Sequence, residues 1–153
     1  MTATETTLGA ERNLLHPEPT SCRQIRLDTP SLTDGELEKL KTLNLPGFKV
    51  QLLPMLFRAA GGESALRAAL DQLFDDAESA IDGGASILIL SDRGVDTEQA
   101  AIPALLASAG LHHYLIRKDK RARTGLVLET GDPREVHHFC LLLGYGVNAI
   151  NPY

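Results

Sequence analysis

The ten residues at 131–140, GDPREVHHFC, are the part of this sequence whose side-chain types most suggest catalysis or metal binding. Glu135 and His138 have the i, i+3 spacing of metal-binding helices, and His137 precedes Cys140 by the three residues that would allow a Cys–His nucleophile pair. A di-iron site needs two Glu-x-x-His helices and two further glutamates, and this sequence has one such pair. We therefore predict neither a metal ligand nor a catalytic residue here.

The same stretch is better interpreted as the start of a helix over 132–146. Asp132 suits the N-cap, Pro133 the first helical position and Glu135 a capping-box partner. The side of this helix that faces the core would consist of four residues: Val136, Phe139, Cys140 and Leu143. Cys140 is then predicted to be a small buried hydrophobe, and the two histidines flank the apolar side without converging.

A second histidine pair, His112 and His113, falls within a helix predicted to run from Ile102 to Arg117. If Ile102 marks the core, the apolar side continues through four further residues: Leu105, Leu106, Ala109 and Ile116. His113 then lies on this side and His112 at its edge. Adjacent helical residues point in different directions, so the pair cannot bind one metal ion together. We interpret both as core histidines with one ring nitrogen hydrogen-bonded.

Polar residues also follow the predicted strands, at the end where α/β proteins bind ligands. They are Asp92, Arg93, Asp96, Glu129 and Asn151. On one interpretation these side chains form the rim of a small-molecule site. On the other they are turn residues and helix caps, with Asp92 and Arg93 paired to each other. The sequence leaves both interpretations open.

The elements that must position these residues alternate between strand and helix. Strands are predicted near 25–27 and at 48–52, 86–90, 124–130 and 147–153. The strand at 48–52 is expected to be half-buried at a sheet edge, with Phe48, Val50 and Leu52 on one face. A capping box at Thr33 and Glu36 starts a short helix, an apolar stripe from Leu66 to Ile81 marks a long one, and the two histidine-bearing helices follow. This order predicts an α/β fold with a mostly parallel sheet flanked by helices, as an open layer or a partial barrel. Residues 1–20 are predicted to be irregular, and 21–153 to form the domain.

Composition excludes several classes of function. The 153 residues carry a net charge of −5, and their basic residues are scattered apart from a run at 117–123, so we predict no nucleic-acid surface. Cys22 and Cys140 are far apart, which indicates neither a zinc site nor a disulfide framework. The sequence has no apolar run of membrane-spanning length, no secretory signal and no glycine-rich phosphate loop. We expect a cytoplasmic, reduced protein without a membrane partner.

Several long segments point to a known family. They are NLL and LDTPSLTDGELEKL near the start, followed by ILILSDRGVD, IPALLASAGLHHYLIR and GLVLETGDPREVHHFCLLLGYGVNAINPY. Together, in this order, they resemble the central domain of the glutamate synthase large chain, over about Leu8 to Tyr153. The resemblance covers only the later portion of that domain. The chain reads His112-His113-Tyr114 where members of the family often have three consecutive histidines.

The resemblance implies a non-catalytic role in glutamate biosynthesis and ammonia assimilation. In this family the central domain lies between an amidotransferase domain and a synthase domain that carries FMN and an iron–sulfur cluster, and it helps to form the ammonia channel of an oxidoreductase. The expected partners are these remaining domains. No catalytic, cofactor-binding or metal-binding residue of the family can be carried over to this chain, so we expect no cofactor in it and no activity from it alone.

A second hypothesis remains, that of a free-standing α/β small-molecule binding module that uses Asp92, Arg93 and Glu129. A part-domain is also expected to leave apolar sheet surface or a strand edge uncovered, because parallel strands are normally covered on both faces. We therefore predict that the chain self-associates or is only marginally stable when alone.

Overall fold

A parallel four-stranded sheet forms the centre of the chain in the computed structural model, which describes residues 4–153. In chain order the elements are β1 (Thr6–Leu8), β2 (Ile25–Leu27), α1 (Asp34–Lys41), β3 (Val50–Pro54), β4 (Leu56–Arg58), α2 (Gly62–Asp82), β5 (Ile87–Ser91), β6 (Gln99–Ala101), α3 (Ala104–Arg117), β7 (Gly125–Thr130), α4 (Val136–Gly144) and β8 (Ala149–Pro152). The central sheet has the order β3-β5-β7-β8, and all three of its strand pairs are parallel. The predicted α/β class is confirmed, as an open layer without a closed barrel.

The two faces of the sheet bury two separate cores, because successive strand residues point to opposite faces. Leu88, Leu90 and Leu126 belong to the core that contains residues of α2, α3 and α4. Ile87 and Ile89 belong to a second core on the other face, which α1 and the N-terminal segment cover. All of β5 and β7 is buried, which explains their continuous apolar runs. The sheet is thus covered on both faces.

The strongest local signals of the sequence correspond to real elements. Thr33 caps α1 by accepting a hydrogen bond from the Glu36 amide at 3.3 Å, and the Glu36 carboxylate accepts one from the Thr33 amide at 2.8 Å. On α2 the predicted stripe faces the core, with Leu73, Ala77 and Ile81 buried. The predicted strands at 25–27 and around 48–52 are also present. The capping box is a contact between near neighbours, which the sequence shows directly.

The N-terminal segment is more ordered than its polar composition indicates. Residues 6–8, predicted to be irregular, form β1 and pair antiparallel with β2. Leu8 is fully buried beneath the sheet. Residues 1–3 of the predicted irregular segment lie outside the described part of the chain. A second short antiparallel pair, β4 with β6, was also missed, since three-residue strands give no clear periodicity.

The predicted orientation of α3 is wrong. Its buried side consists of Ala104, Ala107, Ser108, Leu111 and Leu115. Leu106 and Ile116 are instead about half exposed, His113 is exposed and His112 is half-buried. Ile102, the residue used to set the phase, is buried but lies before the helix begins. Small side chains therefore face the sheet where large ones were expected.

The predicted start and orientation of α4 are also wrong in part. The helix begins at Val136, which is 81% exposed, and Glu135 provides no side-chain cap. Cys140 is exposed, whereas Phe139 and Leu143 do pack against the core as predicted. Asp132 caps a different helix, because its carboxylate accepts a hydrogen bond from the Ala104 amide at the start of α3, at 2.9 Å.

Candidate functional site at the carboxyl edge of the sheet

A row of polar side chains crosses the sheet where its strands end. Ser91 of β5 is in register with Glu129 of β7, and Glu129 is in register with Asn151 of β8. Each lies two residues after a member of the core beneath α1, so the three share that face of the sheet. All three are buried. The topological rule therefore placed Glu129 and Asn151 correctly, and Ser91 joins them.

Glu129 is the centre of this row. Its carboxylate accepts hydrogen bonds from Ser91 Oγ at 2.7 Å, Arg93 Nε at 2.6 Å and Lys41 Nζ at 3.0 Å. Burial by itself raises the pKa of Glu129, but the hydrogen bonds from Ser91, Arg93 and Lys41 outweigh it and hold that pKa below its usual value. The carboxylate is therefore ionised and fully engaged. The predicted pairing of Arg93 with Asp92 is wrong, since Arg93 pairs with Glu129.

Asp92 forms a second set of contacts beside the first. Its carboxylate accepts hydrogen bonds from Thr130 Oγ1 at 2.5 Å, from the Gly131 amide at 3.3 Å and from the Tyr153 hydroxyl. Burial and the hydrogen bond to Asp92 raise the pKa of Tyr153 to about 12. The guanidinium carbon of Arg93 lies 3.8 Å from the centre of the Tyr153 ring, so the two sets of contacts meet at this stack.

Helix α1 packs over this edge of the sheet and binds it at both helix ends. Asp34, its first residue, accepts a hydrogen bond from Asn151 Nδ2 at 3.0 Å, and Lys41, its last, binds Glu129. Asn151 Nδ2 also donates to the Leu32 carbonyl oxygen at 3.0 Å. The oxygen of the same side-chain amide, Asn151 Oδ1, is buried and has no hydrogen-bond partner among the described residues. Lys41 gave no signal in the sequence, because 88 residues separate it from Glu129.

The remaining strand-end candidate, Asp96, does not join the cluster. Its carboxylate accepts hydrogen bonds from the Gln99 and Glu98 amides, at 2.7 and 2.8 Å, and these bonds lower the pKa of Asp96. It is a turn residue, as the second interpretation of the strand ends proposed. That interpretation does not describe Glu129, which lies within β7 and pairs with Arg93 and Lys41.

The two rings of each histidine pair lie edge to face, with centroids 4.3 Å apart for His137 and His138 and 5.3 Å apart for His112 and His113, so the prediction that His137 and His138 do not converge is wrong. Nδ1 of His138 accepts a hydrogen bond from the Arg134 amide at 3.1 Å, and His137 lies 3.3 Å from the Glu135 carboxylate. His112 accepts a hydrogen bond from Arg121 Nε at 3.0 Å. Within residues 4–153 there is no group of three or more His, Cys, Asp or Glu side chains that could hold a metal ion.

Arg121 fastens the opposite edge of the sheet. Besides His112, its guanidinium donates to the carbonyl oxygens of Thr124 at 2.6 Å and Gly146 at 2.5 Å, and to Asn148 Oδ1 at 3.2 Å. Burial and the nearby Arg121 charge lower the pKa of His112. His112 is therefore a neutral acceptor here and part of the fold.

Comparison with known proteins gives a consistent result. The family profile for the glutamate synthase central domain matches residues 1–153. The chain is similar to the NADPH glutamate synthase large chain of Bacillus subtilis, with 44% identity over 153 residues, all of this chain and 10% of the relative. It is 38% identical over 148 residues to the NADH glutamate synthase of Schizosaccharomyces pombe, which is 95% of this chain and 7% of that protein.

A third relative is the chloroplastic ferredoxin-dependent glutamate synthase of Spinacia oleracea, 38% identical over 152 residues, 97% of this chain and 9% of the relative. The chain thus spans a tenth or less of the length of these relatives. No helix in the described part of the chain is long and apolar enough to span a membrane. Since the family profile covers the chain from end to end, the chain belongs to the glutamate synthase central-domain family.

Proposed function

We propose that this chain serves glutamate biosynthesis as a non-catalytic part of a glutamate synthase large chain. Its role would be to hold the amidotransferase and FMN-containing synthase domains in register and to form part of the wall of the ammonia channel. The proposal includes the cytoplasmic location and the oxidoreductase parent enzyme expected from the sequence. Two findings support it: the chain belongs to the family, and the polar residues at the carboxyl ends of its strands are bound to one another.

The observation that carries the proposal is the state of Glu129. An acid–base catalyst or ligand-binding carboxylate needs an open coordination position and a pKa suited to its task. Glu129 instead accepts hydrogen bonds from Ser91, Arg93 and Lys41. Burial raises the pKa of Glu129, but these three hydrogen bonds outweigh that effect and lower it. The charges at the end of the sheet therefore stabilise the fold and leave no carboxylate poised for chemistry.

The residues present do not fit the cofactors of the parent enzyme. An iron–sulfur cluster is held by four cysteines or a close equivalent, and this sequence contains Cys22 and Cys140 alone. A flavin phosphate would have to bind beside the buried carboxylates of Glu129 and Asp92, where both neighbouring cations already pair with Glu129. We therefore assign FMN and the cluster to other domains of the parent enzyme.

The purified chain can be assayed for glutamine hydrolysis and for 2-oxoglutarate-dependent oxidation of NADPH, NADH or reduced ferredoxin. We expect no activity above that of buffer, with a complete glutamate synthase as the positive control. Measurable turnover that persists through purification and follows the protein concentration would refute the non-catalytic role.

A small-molecule binding module is the second candidate, and one observation favours it. Asn151 Oδ1 is buried without a hydrogen-bond partner within residues 4–153, which is uncommon in folded proteins and suits a bound hydrogen-bond donor. A thermal-shift screen of polar metabolites would test it. A ligand that stabilises the chain, and no longer does so in Asn151→Leu or Glu129→Ala variants that remain folded, would support this function over the structural one.

A further inference from the structure

The helix layer on one face of the sheet differs from ordinary surface helices in its charge. Residues 99–116, which include almost all of α3, contain no Asp, Glu, Lys or Arg, and neither do residues 136–153, which include all of α4. The neighbouring α2 carries charges along its exposed side, among them Glu63, Arg67 and Asp71. A helix at the surface of a soluble protein normally has such a polar side. Between 104 and 116 and between 136 and 144 the outer sides of α3 and α4 carry no such charges, and their polar side chains there are histidines.

These outer sides also expose large apolar residues. We define the α3–α4 face by its exposed members: Leu105, Leu106 and Ile116 on α3, and Val136, Cys140 and Leu141 on α4. The two helices are packed against each other, and Leu105 and Leu141 line one groove between them. Asp132 and His138 also line this groove, but the Asp132 carboxylate already accepts a hydrogen bond from the Ala104 amide. Contiguous apolar surface depleted of charge is the composition of the core of a protein interface.

We infer that the α3–α4 face is the surface through which this domain docks onto another domain of the same large chain, an inference that rests on the proposed function. The partner surface is apolar and uncharged, because a charged group buried against this face would find no counter-charge on it. In the relatives the matching segment is 10% or less of the polypeptide, so ample chain exists in each of them to cover it.

The chain contains its own reporters for this contact. Cys140 lies on the α3–α4 face and Cys22 lies far from it in sequence, within the turn Pro19–Cys22, and both are exposed. The test compares maleimide labelling of the two cysteines, resolved by peptide mass spectrometry. It is done in the chain alone and in a hybrid large chain, in which this segment replaces its 44%-identical counterpart in the Bacillus subtilis protein.

We expect Cys22 to react at a similar rate in both proteins and Cys140 to react at least about tenfold more slowly in the hybrid, since interface cores exclude solvent as protein interiors do. Leu106→Lys in the hybrid should restore labelling of Cys140. The matched change Leu45→Lys, at another exposed leucine outside the face, should not. Equal labelling of Cys140 in the two proteins would overturn the inference.

Two further outcomes separate this inference from its alternatives. Self-association of the chain alone that Leu106→Lys abolishes would assign the face to a second copy and overturn the domain-docking assignment. A hybrid that makes glutamate from glutamine while Cys140 stays accessible would leave the proposed function standing and refute this face as the contact.

If the hybrid does not accumulate as folded protein, the inference is tested by dye binding to the chain alone. There, Leu106→Lys must lower the fluorescence of bound 8-anilinonaphthalene-1-sulfonate by about twofold or more, because the dye binds exposed apolar surface. The unfolding midpoint must stay unchanged and Leu45→Lys must have no such effect. An unchanged dye signal would overturn the inference.

Discussion

Replacement of Glu129 by alanine distinguishes a structural carboxyl edge from a functional one. The side chain of Glu129 is 2% exposed and receives three hydrogen bonds, two of them from the cations of Lys41 and Arg93. If these contacts exist to hold α1 and the β5–β6 loop against the sheet, their loss must destabilise the fold. If Glu129 were instead kept for a ligand, its removal would relieve a buried charge and leave stability unchanged or raised.

The expected loss follows from the three contacts. Breaking a buried ion pair by removal of one partner costs about 3–5 kcal/mol. Both cations here are partly exposed to solvent, the side chain of Lys41 by 21% and that of Arg93 by 48%. Solvent screening therefore reduces the contribution of each ion pair to stability. The hydrogen bond from buried Ser91 adds about 1.5 kcal/mol because its acceptor is charged. We therefore expect Glu129→Ala to lower the free energy of unfolding by about 3 kcal/mol.

Urea unfolding followed by far-UV circular dichroism measures this directly. Glu129→Gln should cost less than Glu129→Ala, since it retains the size and one carbonyl acceptor. Lys41→Met should cost less than either, because its loss still leaves Arg93 and Ser91 on the carboxylate. A Glu129→Ala protein as stable as the wild type, or more stable, would refute the structural interpretation and favour the binding-module hypothesis.

Three further predictions concern other parts of the fold. Gly146 has φ +98°, and a Cβ there would lie 2.0 Å from Nδ1 of His112, so Gly146→Ala should cost about 3 kcal/mol in urea unfolding. Gly35→Ala, whose added Cβ meets nothing within 4 Å, should cost nothing, and an equal loss in both would contradict the steric reason. The pKa of His112 is lowered in the folded state, so its contribution to stability is full above pH 6.5 and is lost as the pH falls below it; a His112→Gln variant with unchanged pH dependence would contradict this. The pKa of Tyr153 is about 12, and a hydrogen bond to Glu78 raises the pKa of Tyr114 as well, so ultraviolet titration should show two late-ionising phenols. The contribution of Tyr153 to stability is lost as the pH rises above 10. The titration midpoint of Tyr153 should fall in Asp92→Asn, and unchanged titration of Tyr153 in that variant would disprove the contact.

The predictability of each element depended on whether its partners are near in sequence. The capping box of Thr33 and Glu36 and the stripe of α2 are local patterns, and both are confirmed. The rule that ligands bind beyond the carboxyl ends of parallel strands correctly placed Asp92 and Glu129 at one edge of the sheet. What it could not give was the partner of Glu129, because Lys41 approaches from a helix that packs on the sheet from another part of the chain.

The errors in α3 and α4 have a different cause, and they are informative. Helical phase is inferred from the contrast between apolar and charged sides. Neither helix contains a charged residue between Ala104 and Ile116 or between Val136 and Gly144, so the contrast was absent and large side chains were assigned to the core by default. The feature that defeated the prediction, an apolar outer side, is the same feature that indicates a docking surface.

Self-association through the sheet, predicted from the sequence, is opposed at β3 by two residues. The Met55 amide donates a hydrogen bond to the Ser91 carbonyl oxygen of β5. Because alternate residues of a parallel strand bond to the same neighbour, the backbone of Pro54 faces the free edge of the sheet, where proline has no N–H to donate. Gln51 Nε2 donates to the Leu52 carbonyl oxygen at 3.1 Å and occupies a second edge group. Proline and satisfied edge groups are known protection against strand pairing.

We therefore expect Pro54→Val with Gln51→Ala to increase self-association, measured by light scattering against Gln51→Ala alone. A double variant that stays as dispersed as the wild type would refute the view that Pro54 and Gln51 protect this edge.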